Sequence, residues 1–423
     1  MQFSLQPYCN AFLEDGNRRV DVIMTVRAVE TDTAPQAKEP LEFGIVIDCS
    51  GSMGTHGRMA AAKLAARGAI ARIPDGVVFF VVAFNDEARV IVKATVASEA
   101  SRALASRSVA MIEAGGGTSM ARALYAADEQ FSSKTDAVRV CQFYTDGDNG
   151  DQPGVLESVL GDVRGRFQCE CRGIGEDWKP AQLLQIAEAL MGTARLVSSG
   201  DDIAADLKET FEHAAARRTA DVRLRLIVPP KMASIVKVLR VSPTVIDFTN
   251  EVIAVDDRTF DYPTGAWAVE ERDFHVVIEM KQAGAVGEQM RIVRTALVIG
   301  GKVEDQPAVT VTWSDDARMT TRIDPQVAHY TGQAELAAVT REGFEALEKG
   351  DTQEATVKLG KAMKLAQDSG NDEATRRLGK VVDIVDADRG TVRLRAGVQK
   401  SDLLDAEVGA TRTVRRSPAK LAT

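Results

Sequence analysis

The chain has 423 residues, a formal net charge of −9, and 45% hydrophobic and 27% charged residues. At about 100–200 residues per domain the length allows two or three domains, and the balance is that of a folded chain with a large core rather than a disordered one. The acidic charge excludes a general attraction to phosphate backbones or anionic lipid, and only 5% aromatics argue against a base-stacking surface for single-stranded nucleic acid.

Residues 1–40 begin with two alternating segments, 3–9 and 20–29, which read as strands joined through the turn pair Asp15-Gly16. A polar stretch over 31–40 reads as a linker. From Leu41 to Arg218 short apolar runs alternate with helical patterns. Strands are expected over 43–47, 77–84, 138–144, 167–173 and 194–197, and helices near 58–72, 99–112, 119–131, 155–163, 180–190 and 203–216. Residues 44–47 and 77–84 are apolar throughout or glycine, so these strands must be covered on both faces. The alternation implies a doubly wound, Rossmann-like α/β sheet.

Over residues 219–323 the helical period vanishes. Strands are expected at 222–228, 235–241, 245–248, 252–255, 274–280, 292–299 and 309–313, punctuated by Pro229-Pro230, Thr249-Asn250, Asp256-Asp257, Gly284 and Gly300-Gly301. That is the pattern of an antiparallel β-sandwich. The two N-terminal strands are too few to be stable alone, so they are expected to complete this sandwich. Residues 324–390 turn helical, with Leu336, Val339, Phe344 and Leu347 on one face and breaks at Gly350-Asp351 and Ser369-Gly370-Asn371; a third amphipathic segment is expected to reach about Val385. The hairpin over 343–355 resembles one tetratricopeptide unit, but arrays need about three copies, and the helices read better as a buttress for the sandwich. Residues 391–423 are expected to supply a strand and a solvated basic tail bearing Arg412, Arg415, Arg416 and Lys420.

No basic and apolar leader opens the sequence, and no run of about 18 apolar residues could span a membrane. The odd set of thiols, Cys9, Cys49, Cys141, Cys169 and Cys171, fits a reducing cytoplasm. Cys169 and Cys171 are too close for a zinc knuckle and read as small core residues on one strand face.

The sharpest chemical signal is Asp48-Cys49-Ser50-Gly51-Ser52, directly after a buried strand. In a doubly wound sheet, ligands bind at the carboxyl ends of strands. Two further segments hold that position. Gly115-Gly116-Gly117-Thr118-Ser119 precedes a helix, and Tyr144-Thr145-Asp146-Gly147-Asp148 ends a strand. With these three segments the chain resembles the von Willebrand factor A (VWA) family, whose metal-ion-dependent adhesion site combines Asp-x-Ser-x-Ser with a distant Thr and a distant Asp. The matching residues are Asp48, Ser50, Ser52, Thr118 and Asp146, and the resemblance covers about residues 41–218. It implies that Ser50, Ser52 and Thr118 touch a metal while Asp48 and Asp146 act largely through water. Hydroxyls and carboxylates are hard ligands suited to Mg2+, with Mn2+ or Ca2+ as alternatives. A cation with few anionic ligands stays electrophilic and takes a carboxylate from a protein partner.

Other residues have plainer readings. His56 reads as a surface residue; His213, His275 and His329 form no ligand spacing. Asp148 and Asp151 read as a solvated acidic loop. The glycine run lacks the Lys of a P-loop, and neither a dinucleotide fingerprint nor a hydrolase elbow is present.

The leading functional expectation is therefore a non-enzymatic, cytoplasmic binding module. The composite architecture looks like that of intracellular bacterial members of the family, which often work in signalling or stress systems. A metal-dependent hydrolase of phosphate esters is the alternative, although no general base or nucleophile presents itself. A third reading is a scaffold with a vestigial site and a tail phosphorylated at Thr411, Thr413 or Ser417. Partner identity, oligomeric state and any switching of the site lie beyond the sequence.

Overall fold

A computed structural model describes residues 1–30, 39–133, 137–197, 200–217, 219–386 and 389–416. The linker expected over 31–40 falls largely outside them, as do Ser417 and Lys420. The chain forms two compact units: Met1–Ala34 with Val222–Thr264 and Val269–Thr423, and Pro35–Asp221 with Gly265–Ala268.

Strands β1 (Gln2–Cys9), β2 (Phe12–Glu14) and β3 (Arg19–Val29) belong to the first unit. β1 and β3 pair antiparallel, as their alternation requires. The short β2 was not expected from the sequence.

The α/β unit follows with β4 (Leu41–Asp48), α1 (Arg58–Arg72), β5 (Val78–Phe84), β6 (Ala88–Val96), α2 (Glu99–Ala110), α3 (Met120–Asp128), β7 (Val138–Thr145), α4 (Val155–Val163), β8 (Gln168–Ile174), α5 (Pro180–Ala189), β9 (Ala194–Val197) and α6 (Gly200–Ala216). Its sheet has the order β6-β5-β4-β7-β8-β9. All neighbours are parallel except the edge strand β6, which is antiparallel to β5. The expected strands and helices are present within a few residues; β6 is the addition. Its half-exposed face lacks the continuous apolar run that marks the central strands. Phe43, Ile45, Ile47, Phe79, Val81, Val138 and Val140 fill one side of this sheet against Ala62, Ala65, Ala66 and Ile70 of α1 and Ile203 and Leu207 of α6. Trp267 is fully buried in this unit, and its backbone exchanges hydrogen bonds with Thr219.

A buried polar cluster ties α6 to the sheet. Arg172, 2% exposed, donates from Nε to Asp206 Oδ1 at 2.7 Å. Tyr144 and Gln142 donate to the other carboxylate oxygen. Cys169 and Cys171 are fully buried with their sulfurs 3.8 Å apart on one strand face, and burial pushes both thiols well above their usual pKa.

In the other unit β10 (Val222–Ile227), β11 (Ala233–Ser242), β12 (Ile246–Asp247), β13 (Ile253–Ala254), β14 (Thr259–Pro263), β15 (Glu271–Met280), β16 (Gln289–Ile299) and β17 (Lys302–Ser314) complete two sheets. One is β1-β3-β15-β11-β12, wholly antiparallel. The other is β13-β14-β10-β16-β17-β2, where β2 runs parallel to β17, so the purely antiparallel expectation is corrected there. β14 was not foreseen.

Helices α7 (Ala317–Thr320), α8 (Pro325–Glu348), α9 (Thr352–Asp368) and α10 (Asp372–Val381) follow, then the hairpin β18 (Val382–Asp386) and β19 (Thr391–Leu394), and α11 (Lys400–Gly409). The third amphipathic segment thus ends at Val381, where β-branched Val382 and Ile384 enter a strand instead, and α11 adds a helix the pattern did not announce. Asp324, Asp351 and Asn371 cap the helices they precede. Val327 and Tyr330 of α8 pack on Ile23, Leu239 and Val241 of the antiparallel sheet. The basic tail is not free over its described part. Arg412 pairs with Glu373, Arg415 with Glu271, and Arg416 donates to the Pro325 carbonyl.

Candidate metal centre

β4 lies between β5 and β7, so the sheet changes winding direction beside it and a crevice opens at the strand ends. Asp48 closes β4 at that edge and is fully buried. Its Oδ1 accepts the Ser50 amide at 2.7 Å and its Oδ2 accepts the Thr145 hydroxyl at 2.5 Å. Burial raises the Asp48 pKa, against the opposing pull of those hydrogen bonds. The carboxylate therefore organises the turn: it fixes Ser50 and ties β4 to the end of β7.

The turn continues as a 3-10 helix over Gly51–Gly54. The Ser50 and Ser52 hydroxyl oxygens are 3.0 Å apart, and Ser52 donates to Asp146 Oδ1 at 2.7 Å. Thr118 arrives on a loop stitched to this turn by backbone bonds from Gly51 N to Gly116 O (2.9 Å) and from Gly115 N to Cys49 O (2.8 Å). Gly116 has φ +85, and a Cβ there would fall 2.6 Å from Asp86 Oδ2, so glycine is required at this close approach.

Gly147 measures the convergence. A Cβ built on it would sit 3.3 Å from Thr118 Oγ1, 3.5 Å from Ser52 Oγ and 3.9 Å from Ser50 Oγ. Three hydroxyls from two loops thus surround one small space, which the absent side chain of Gly147 leaves open. Asp48 and Asp146 flank it, both fully buried. All five residues singled out in the sequence come together. The donor set is hydroxyl and carboxylate oxygen, which fits a hard divalent cation. Among the described residues no group of three or more His, Cys, Asp or Glu is placed to hold a metal, as expected where most donors are hydroxyls.

Sequence reasoning missed the residues that hold the loops. Asp86 accepts the Gly117 amide at 2.7 Å, and Asn85 reaches the Gly115 carbonyl at 2.7 Å. Asp151 is not a solvated acid: it accepts the Ser119 hydroxyl at 2.5 Å and the Ala121 amide at 2.9 Å, anchoring the start of α3. Asp148 is exposed and pairs with Lys179 at 3.0 Å. His56 is exposed, as expected. Nothing in the sequence around Arg58 marks it as a site residue. It donates to Asp146 Oδ2 at 2.8 Å and to Asp177 Oδ2 at 3.1 Å, and it lies so close to Gly175 that a Cβ there would meet Nη2 at 2.7 Å. Strand-end acids such as Asp86 are visible in a sequence, but their partners are long-range.

Residues 42–196 match the von Willebrand factor type A domain family, and residues 364–410 match the von Willebrand factor type A C-terminal domain family. A von Willebrand factor type A protein from Catenulispora acidiphila is similar over 98% of this chain and 97% of its own, at 37% identity and a TM-score of 0.90. The ArnB paralog VWA2 from Sulfolobus acidocaldarius matches over 97% of both chains at 15% identity and a TM-score of 0.59, a likeness of fold. No curated protein matches.

Proposed function

The chain belongs to the von Willebrand factor type A family, and from that premise we propose that it is a metal-dependent protein-binding adaptor. VWA domains commonly bind a divalent metal at such a site and mediate protein interactions. In this reading Ser50, Ser52 and Thr118 hold Mg2+ directly, with Mn2+ or Ca2+ as substitutes, and Asp48 and Asp146 act from behind them. The cation's chemistry is electrostatic: it offers a coordination position to a partner's acidic side chain.

One observation carries the reading, namely the convergence of three hydroxyl oxygens around the space at Gly147, backed by two buried carboxylates. Neutral ligands leave most of the ion's charge for the incoming carboxylate. The oxygens of Asp48 and Asp146 are already engaged by Ser50, Thr145, Ser52 and Arg58, which disfavours a general base and hence the hydrolase alternative. A place in intracellular signalling or stress response is the accompanying expectation.

The test is a pull-down from native cytosol in Mg2+ against chelator, comparing wild type with Asp48→Ala. A partner retained only with metal and intact Asp48 supports the adaptor. Equal retention in all arms points to the scaffold reading and ends this one.

A further inference from the structure

The β-rich unit carries a second feature unrelated to the metal centre. β10 pairs with β16 from Val222↔Ile299 to Ile227↔Arg294 and goes no further. β16 itself begins at Gln289 and stays paired to β17 on its other side down to Gln289↔Thr312. Residues 289–293 thus have, among the described residues, a strand partner on one side only; Gln289, Met290 and Arg291 reach solvent, while Ile292 and Val293 are buried at the floor. The cause is local: Pro229-Pro230 follows the end of β10, proline cannot donate to a ladder, and the chain turns away with Met232 and Ala233 bonding back to the Pro229 carbonyl.

A cleft of about 650 Å³ opens where β10 leaves. Ile227, Pro229, Pro230 and Met232 give it apolar walls. Lys231, Arg258, Arg291 and Arg294 line it as well, all exposed, against the single carboxylate of Asp257. Arg294 has only a loose ion pair, 3.8 Å from Asp305. Four cations around an apolar floor stand out in a chain of net charge −9.

We propose that this cleft docks an extended acidic peptide segment of a partner protein, which adds as a short strand to the open edge of β16. An unpaired strand edge supplies main-chain hydrogen bonds to an extended peptide. Alternate side chains of such a peptide face opposite ways, so an acidic-apolar alternation serves both the cations and the apolar walls. The charge pattern selects against basic segments. This docking needs no metal and is independent of the adaptor reading.

The experiment is fluorescence anisotropy on the full chain, with a labelled peptide alternating Glu and Val, a Lys-Val counterpart, and a Glu-Val peptide N-methylated on alternate amides. The Glu-Val peptide is expected to bind equally with Mg2+ or chelator, more weakly as salt rises. The Lys-Val and N-methylated peptides should bind at least about tenfold more weakly. Arg258→Glu/Arg291→Glu, at exposed positions, should cost about tenfold or more with an unchanged melting curve, and Lys231→Glu should act in the same direction. Equal binding of the Glu-Val and Lys-Val peptides, or unchanged binding to the charge-reversed protein, overturns the proposal. Equal binding of the N-methylated peptide overturns strand addition.

Discussion

Arg58 and Asp146 share an ion pair at the edge of the candidate metal site: Nη1 lies 2.8 Å from Oδ2, while Ser52 occupies the other carboxylate oxygen. The guanidinium is only 14% exposed, so solvent screens it poorly. A fixed positive charge beside a space suited to a divalent cation must raise that cation's energy. Arg58→Ala is therefore expected to tighten Mg2+ binding by roughly tenfold, read by isothermal titration calorimetry. Weaker binding in the variant would show that Arg58 chiefly orients Asp146.

Gly147→Ala tests the site from the inside. The new methyl would sit 3.3–3.9 Å from the three hydroxyl oxygens, in the space the cation is proposed to use. The contact with Thr118 is slightly tight and the others are ordinary, so stability should change by no more than about 1 kcal/mol. Metal uptake should be lost while the melting temperature stays within a few degrees. A variant that binds Mg2+ as wild type does would place the ion elsewhere.

The Arg172–Asp206 pair makes a prediction about stability alone. Both groups are buried, at 2% and 8% exposure, and Asp206 also accepts from Tyr144 and Gln142. Asp206→Ala removes the nearer of the guanidinium's two carboxylates and leaves it Glu170 at 3.6 Å, so it should cost about 1–3 kcal/mol in urea unfolding of the α/β unit. Arg172→Met/Asp206→Leu should recover only part of the loss, since an apolar pair of similar volume avoids desolvating those two charges but takes the guanidinium away from buried Glu170. A double variant no better than the single one would argue that the whole polar cluster acts together.

Glu407 on α11 predicts a pH dependence. Burial, followed by the nearby Glu348 and Glu345, raises its pKa from 4.5 to about 7. Between those values the folded chain keeps a proton that the unfolded chain releases, so this contribution to stability falls as pH rises through the window and is gone above it. The size is on the order of 1–3 kcal/mol. Glu407→Gln should remove the dependence and unfold at higher denaturant than wild type above neutrality. Parallel stability–pH curves for the two proteins would rule this out.

Much of this molecule is written locally. The buried run ending at Asp48, the glycine loop before Thr118 and the strand ending at Asp146 are each legible because a parallel strand covered on both faces must be apolar throughout and the turn after it polar. β6 escaped because a half-exposed edge strand carries no such run, and β14 because its buried positions include the polar Thr259 and Asp261 and it ends at Pro263. α11 escaped because its apolar residues do not gather on one face of a helix. The parallel pairing of β2 with β17 could not be read at all, since it joins residues 12–14 to 312–314.

The sequence by itself determined the alternating strand-helix order and the hard-oxygen chemistry of Asp48, Ser50, Ser52, Thr118 and Asp146, because hydrophobic period and ligand type are properties of neighbouring residues. Tertiary structure alone decided that Arg58 would sit on Asp146, that Asp151 would anchor α3, that the tail arginines would be paired, and that β16 would outrun β10. Each of these depends on side chains or edges far apart in the chain meeting in space, and no local periodicity encodes such a meeting.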